Sequence, residues 1–199
     1  MRLLVVILGM LTLALGVGSR FWPTVELAFV NGNQHHSRER VLWLANIQEG
    51  DPLLWINRWS LAALEADPWI ARASVVRHFP DTVSISVSER TPRLTDGTVV
   101  WGEGGVELPG VSQEVIDSLP ITLGWGEPRI REVLDLLELL SGLEPEVISY
   151  TPDGFDITFD GVSVYTPSVS ALEAQWAAVQ GRLGNRLAVY PWGVSEKNE

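Results

Sequence analysis

Asp67-Pro68-Trp69-Ile70-Ala71-Arg72-Ala73-Ser74-Val75-Val76-Arg77-His78-Phe79-Pro80-Asp81-Thr82-Val83-Ser84-Ile85-Ser86-Val87-Ser88-Glu89-Arg90-Thr91-Pro92 is the stretch whose reading decides the fold. Val83, Ile85 and Val87 alternate with Ser84, Ser86 and Ser88, the period-2 pattern of a strand with one buried and one solvated face. Pro80-Asp81 ahead of it is turn chemistry: proline presets φ, and aspartate bonds nearby backbone N–H groups. The stretch therefore predicts an antiparallel hairpin.

Upstream, residues 25–30 (Val-Glu-Leu-Ala-Phe-Val) read as a first strand, closed by the turn sequence Asn31-Gly32-Asn33. Ser37 is a fair N-cap for a helix turning Val41, Leu44 and Ala45 inward, although Arg40 stands where a capping box needs glutamate. A second short helix, capped by Asn57 and burying Leu61 and Leu64, ends before Pro68. The order is β-α-α-β-β over about 65 residues, enough for a small independent core.

From Leu3 to Gly18 the chain is apolar apart from Thr12, with Arg2 before it and Arg20-Phe21-Trp22 after it. Its aliphatic residues favour insertion by about 3–6 kcal/mol at most. At 1.5 Å per residue the run covers about 24 Å, short of a ~30 Å hydrocarbon core, so Phe21 and Trp22 are expected to extend it. Besides the bland option of a buried core helix, the segment reads as a transmembrane anchor with a minimal cytoplasmic tail, or as a cleaved signal peptide, since Gly16 and Gly18 have the small-residue spacing of a cleavage site before Ser19. Both readings export the chain beyond Trp22.

Composition narrows the function. The 199 residues are 46% hydrophobic and carry a net charge of −11, which disfavours nucleic-acid binding because that affinity is mostly cationic neutralisation. Cysteine is absent, which removes disulfides and thiolate chemistry. A catalytic site needs a nucleophile with its base, a metal cluster or paired carboxylates, and none is evident. His35-His36 reads as a solvated loop, and the acidic pairs Glu144/Glu146 and Asp153/Asp156 flank turns. Gly102-Glu103-Gly104-Gly105 lacks the lysine and strand-to-helix setting of a phosphate cradle. No catalytic residue, cofactor or metal is expected.

After Pro92 the pattern becomes short strands and glycine turns. Residues 98–101 and 106–108 flank Gly102 to Gly105 as a hairpin, and 119–123 is a further strand candidate. Pro128 opens a helix with Ile130, Val133, Leu134 and Leu137 on one stripe, stopped at Gly142. Three strands, 147–150, 155–159 and 162–165, form a meander with turns at Asp153-Gly154 and Asp160-Gly161. A last helix carries Leu172, Trp176, Val179 and Leu183 inward, and Arg186 to Tyr190 is the closing strand. Of the nine tryptophans, Trp43, Trp69 and Trp176 fall on inward patterns, while Trp22 is an interfacial anchor. Trp192 is read either as core or as a protein contact.

Val30-Asn31-Gly32-Asn33, Ser37, Gly50-Asp51-Pro52-Leu53-Leu54, Asp67-Pro68-Trp69-Ile70, Phe79-Pro80-Asp81-Thr82 and Val87-Ser88-Glu89-Arg90-Thr91-Pro92, in this order behind an N-terminal apolar segment, resemble the POTRA domain of the FtsQ and DivIB cell-division family. The resemblance covers about a third of the chain and is looser beyond it, resting there on Arg186-Leu187-Ala188-Val189-Tyr190-Pro191. It implies an α+β protein in three parts: a transmembrane anchor over 1–22, a POTRA domain over 23–92, and a β domain over 93–199 with a mainly antiparallel sheet. It further implies a non-enzymatic, single-pass scaffold of the divisome, at the septum of the inner (plasma) membrane with most of the chain outside the cytoplasm. Partners so implied are FtsB-like and FtsL-like bitopic proteins, docking on a C-terminal edge that includes Arg186, Ala188, Tyr190 and Trp192. The bland reading of Tyr190 is that it fills the sheet face. Rival readings are a POTRA module of protein translocation or outer-membrane assembly and an anchored hydrolase. The serine face of the hairpin, lacking an aromatic anchor, reads as scaffold.

Overall fold

The computed structural model describes residues 2–20, 22–159, 162–184 and 186–196. The chain divides into two compact units, Met1–Arg90 and Thr91–Glu199.

In the first unit, α1 (Arg2–Gly18) leads to β1 (Leu27–Asn31), α2 (Arg38–Leu44), α3 (Ala62–Glu65), β2 (Ile70–His78) and β3 (Thr82–Glu89). The expected β-α-α-β-β order is present. Val83 and Ile85 are fully buried and Val87 nearly so, while Ser86 and Ser88 face solvent. β3 lies in the middle of the three-stranded sheet, antiparallel to β2 and parallel to β1. Val41, Ala45, Leu61 and Leu64 from the helical segment pack on its buried face. Ser37 accepts from the Arg40 N–H at 3.2 Å, and Asn57 accepts from the Trp59 N–H at 2.8 Å, so both expected caps are made.

Three expectations need correction here. The stretch read as a transmembrane span is helical, but α1 has 17 residues, about 26 Å at 1.5 Å rise per residue. Among the described residues no helix is long and apolar enough to cross a membrane. Phe21, expected to lengthen the run, lies outside the described residues, and Trp22 sits in a bend. Trp43 is 65% exposed rather than core; two residues past Val41 it points about 200° away from the buried Val41–Ala45 stripe. The serine face is not free of aromatics either, because parallel pairing sets exposed Phe29 of β1 beside Ser84.

The second unit holds β4 (Pro92–Thr95), β5 (Val100–Gly102), α4 (Gln113–Ile116), β6 (Ile121–Gly124), α5 (Ile130–Leu139), β7 (Val147–Thr151), β8 (Gly154–Phe159), β9 (Val162–Thr166), α6 (Val169–Gln180), β10 (Leu187–Tyr190) and β11 (Gly193–Glu196). They build an eight-stranded sheet in the order β11-β10-β9-β8-β7-β6-β4-β5. The β7–β8–β9 meander is antiparallel as expected, its second turn at Asp160-Gly161 lying outside the described residues. β9–β10, β6–β7 and β4–β6 are parallel, so the sheet is mixed rather than mainly antiparallel. Parallel neighbours need crossovers, and α5 and α6 supply two of them. Val133, Leu136, Leu172 and Val179 of these helices pack with Ile148, Phe155, Ile157, Val164, Leu187 and Val189.

Residues 106–108 contribute only the isolated bridge Trp101–Glu107 instead of the expected hairpin strand; the partner of β5 is β4. Leu183 is exposed because α6 ends at Gln180 and its stripe ends with it. Trp176 is half-buried against the core, and Trp69 is buried.

Gly32 has φ +84°, and a Cβ there would collide with the Val87 carbonyl oxygen. Gly32→Ala is expected to destabilise the first unit by about 1–3 kcal/mol from strain, with the clash adding to it. Gly50 has φ +90° with open space around it, so Gly50→Ala should lose only the left-handed penalty, about 1–2 kcal/mol. Denaturant-dependent hydrogen exchange resolved by unit checks the order; equal losses would mean that the Val87 contact relaxes freely.

Candidate functional site

Two constellations gather the informative side chains. The first sits at the end of the first sheet. Glu89, the last residue of β3, accepts three backbone N–H bonds from the loop leaving β1: Gln34 at 2.8 Å, His35 at 2.6 Å and His36 at 3.0 Å. His36 Nε2 lies 3.0 Å from Asp67 Oδ1, and the same carboxylate oxygen accepts from the Trp69 N–H at 2.9 Å. The His35 ring stacks on the Trp69 indole at 3.6 Å and 10°. Arg90 donates to the carbonyls of Pro68 and Ile70 at 2.7 and 2.6 Å. The histidine pair is therefore no solvated loop: both rings have specific partners. Among the described residues no group of three or more His, Cys, Asp or Glu is arranged to hold a metal ion.

Burial pushes the Glu89 carboxyl up, but its three N–H donors outweigh that and hold it below the usual carboxylate range. Asp67 is likewise raised by burial and lowered further by His36 and the Trp69 N–H, with a net fall. Burial and the neighbouring His36 lower His35.

The second constellation lies on the sheet face of the second unit opposite its helices. Alternation along β9 and β10 puts Val164, Leu187 and Val189 inward, leaving Tyr165, Ala188 and Tyr190 on the other face. Tyr190 stacks on Trp192 at 5.1 Å and 7°, and its ring centroid is 6.1 Å from that of Tyr165. Tyr165 is fixed by its hydroxyl, which donates to the Asp153 carbonyl at 3.0 Å. Trp192 is 82% exposed, Tyr190 is half-buried, and Ala188 lies beside Tyr165 in parallel register with only 8% exposure. Arg186 is exposed just before β10. Of the four residues expected at the C-terminal edge, Tyr190 and Trp192 form one aromatic surface, Ala188 lies on the same sheet face, and Arg186 is exposed ahead of β10.

The edge itself is elsewhere. β10 is covered on both sides, by β9 and β11, and β11 is the outer strand. Sequence reading stopped at Tyr190 and missed this strand, although Pro191-Trp192 between Tyr190 and Gly193 is a two-residue hairpin connection. It also missed Tyr165, whose outward position the alternation of residues 162–166 could have revealed. In a two-residue hairpin the closing Tyr190–Gly193 pair exchanges hydrogen bonds, so Val194 and Glu196 turn their backbone groups outward. The Val194 carbonyl already accepts from Arg182 at 3.3 Å, and Gln175 of α6 donates to the Pro191 carbonyl at 3.1 Å. The hairpin is thus held at its loop and guarded at one edge carbonyl.

Comparison with known proteins adds to this geometry. Residues 29–90 match the family described as POTRA domain, FtsQ-type. A relative from Geotalea daltonii, named cell division protein FtsQ, is 32% identical over 167 residues, covering 76% of this chain and 60% of the relative. Proteins of the same name from Geobacter sp. (strain M21) and Novosphingobium aromaticivorans are 41% identical over 58 residues and 34% over 96, covering 29% and 44% of this chain. The matched segments span between 21% and 60% of these three relatives' own lengths.

Acid titration tests the Glu89 clasp. With its folded pKa depressed, Glu89 contributes stability that is present above its unfolded value and lost as pH falls through the folded value. The native protein should lose stability in the first unit below about pH 4.5. Glu89→Gln should be less stable at pH 7 by about 1–3 kcal/mol and show a flatter acid limb. An unchanged acid limb would remove Glu89 as the clasp.

Proposed function

We propose that this chain, a member of the FtsQ/DivIB family by its FtsQ-type POTRA domain, is a membrane-associated, non-catalytic scaffold of bacterial cell division acting at the septum. The observation that carries the reading is the POTRA match over residues 29–90 together with relatives named cell division protein FtsQ along up to 76% of the chain. The three-part organisation, with a leading apolar segment, a POTRA domain to about residue 92 and a β domain after it, accords with the division of the chain near Arg90.

Partners in this reading are FtsB-like and FtsL-like proteins, as the family resemblance implies. The surface best suited to them is the last hairpin. β11 offers outward backbone groups at Val194 and Glu196, to which a partner can add a strand. Tyr190 and Trp192 supply beside it the exposed aromatic contact that anchors interfaces. Ala188 and Arg186 flank that contact. Main-chain pairing supplies affinity, and the aromatic stack fixes register. A strand pairing at Val194 displaces the Arg182 guanidinium from its carbonyl.

Two results are expected. The full-length chain should co-purify with FtsB-like or FtsL-like proteins, and its depletion should block septation; capture of outer-membrane assembly factors with normal division would favour the translocation reading. Tyr190→Glu should weaken partner capture about tenfold or more, roughly 1.4 kcal/mol, with the circular dichroism spectrum retained. Loss of the folded spectrum would place Tyr190 in the supporting core instead.

A further inference from the structure

Three separate loops of the first unit meet at the end of α1. Backbone bonds draw them together: the Leu53 N–H donates to the Pro23 carbonyl at 2.9 Å, Thr24 forms a bridge with Pro52, and the Glu26 N–H donates to the Asp81 carbonyl at 2.8 Å. The side chains there are large, aromatic and outward. Trp22 is 70% exposed, Trp55 54% and Phe79 65%. The Trp22 and Phe79 rings meet edge to face at 6.3 Å, and Trp55 Nε1 donates to Ser19 Oγ, just past α1, at 3.3 Å.

Arginines rim the cluster. The Arg20 guanidinium lies 5.8 Å from the Trp55 ring and Arg77 donates to the Leu54 carbonyl at 2.8 Å, while Arg58, in the turn that follows Trp55, lies 5.7 Å from the ring of exposed Trp59. Carboxylates stand here too: Asp51 accepts from the Gln48 N–H, Asp81 from the Thr82 hydroxyl, and Glu26 is exposed. Among the described residues none of these arginines forms an ion pair, which leaves their guanidinium donors for an anionic partner.

Single exposed apolar residues need no explanation, but this cluster continues into α1, whose large side chains from Val6 to Val17 are exposed on every side. A protein groove covers one stripe of a helix. A helix apolar all round needs an apolar surround, which lipid provides.

We propose that this end of the POTRA unit is a bilayer-interface surface, with Trp22, Trp55 and Phe79 at headgroup depth and Arg20, Arg58 and Arg77 against anionic lipid headgroups. Indole and phenyl rings favour that layer, and arginine reaches from it to phosphate. The surface would hold the POTRA sheet in one orientation to the membrane instead of leaving it on a free tether. The proposal rests on the membrane association put forward above.

The absence of cysteine allows single-site labelling of the full-length chain. Phe79→Cys and Trp55→Cys, each carrying a polarity-sensitive fluorophore, are compared with Trp43→Cys, an exposed site on α2 with no contact to the cluster. Vesicles of phosphatidylcholine with or without phosphatidylglycerol are the probe, and flotation is scored first. The expected result is flotation with a blue shift and quenching by brominated lipid at positions 55 and 79, an aqueous spectrum at 43, and a larger shift with phosphatidylglycerol. Arg20→Glu with Arg58→Glu should abolish that phosphatidylglycerol dependence. Flotation with aqueous spectra at 55 and 79, or equal quenching at all three positions, overturns the interface surface and leaves membrane association standing. Failure to float overturns both.

Discussion

The parallel pairing of β1 with β3 is the constraint from which the first unit follows. Parallel neighbours cannot be joined by a tight turn, so the chain between β1 and the hairpin has to cross over the sheet. That crossover is α2, the capped turns and α3, and it buries the Val83, Ile85 and Val87 face. Parallel strands also end on the same side. With Asn31 opposite Ser86, the loop three residues beyond β1 arrives where β3 finishes, and Glu89 meets the Gln34 to His36 N–H groups there. The carboxylate supplies acceptors to a loop that has no ladder partner.

The second unit solves a different problem, a broad sheet with helices on one face. α5 and α6 serve both as crossovers and as the cover of that face. Arg129 fastens the start of α5: it pairs with Glu132 at 2.6 Å, donates to the Thr151 carbonyl at 3.0 Å, and lies 4.0 Å from the centre of the Phe155 ring. The opposite face carries the Tyr165, Tyr190 and Trp192 side chains close to the outer strand. Aromatic side chains and an outer strand thus occur together, on a hairpin braced from α6 by Gln175.

Each unit presents its distinctive surface where the chain leaves regular structure. In the first, aromatics and arginines collect at three loop ends beside an exposed apolar helix. In the second, Tyr190 and Trp192 stack on the last hairpin beside Tyr165 of β9. Most buried residues of both cores lie on strands and helices, although loop residues such as Val25, Ile47 and Ile56 belong to the first core.

Local chemistry was legible in the residue order. The alternation of residues 83–88, the Ser37 and Asn57 caps, the 147–166 meander and the two long helices of the second unit all follow from side-chain period, capping and turn preference, which act over a few neighbours. The same short range explains what was misjudged: Trp43 and Leu183 were placed by extending a stripe beyond what a seven-residue helix and a helix ending at Gln180 can carry. Tertiary structure alone decided which distant strands are neighbours. That β1 runs parallel to β3, and that β4 lies beside β6, β6 beside β7 and β9 beside β10, depend on residues far apart in sequence, whereas the β10–β11 hairpin that makes β11 the edge is local. The Glu89 clasp, formed across more than fifty residues, and the meeting of Trp22, Trp55 and Phe79 are likewise long-range. Strand order is set by how whole faces are buried, and no local period encodes it.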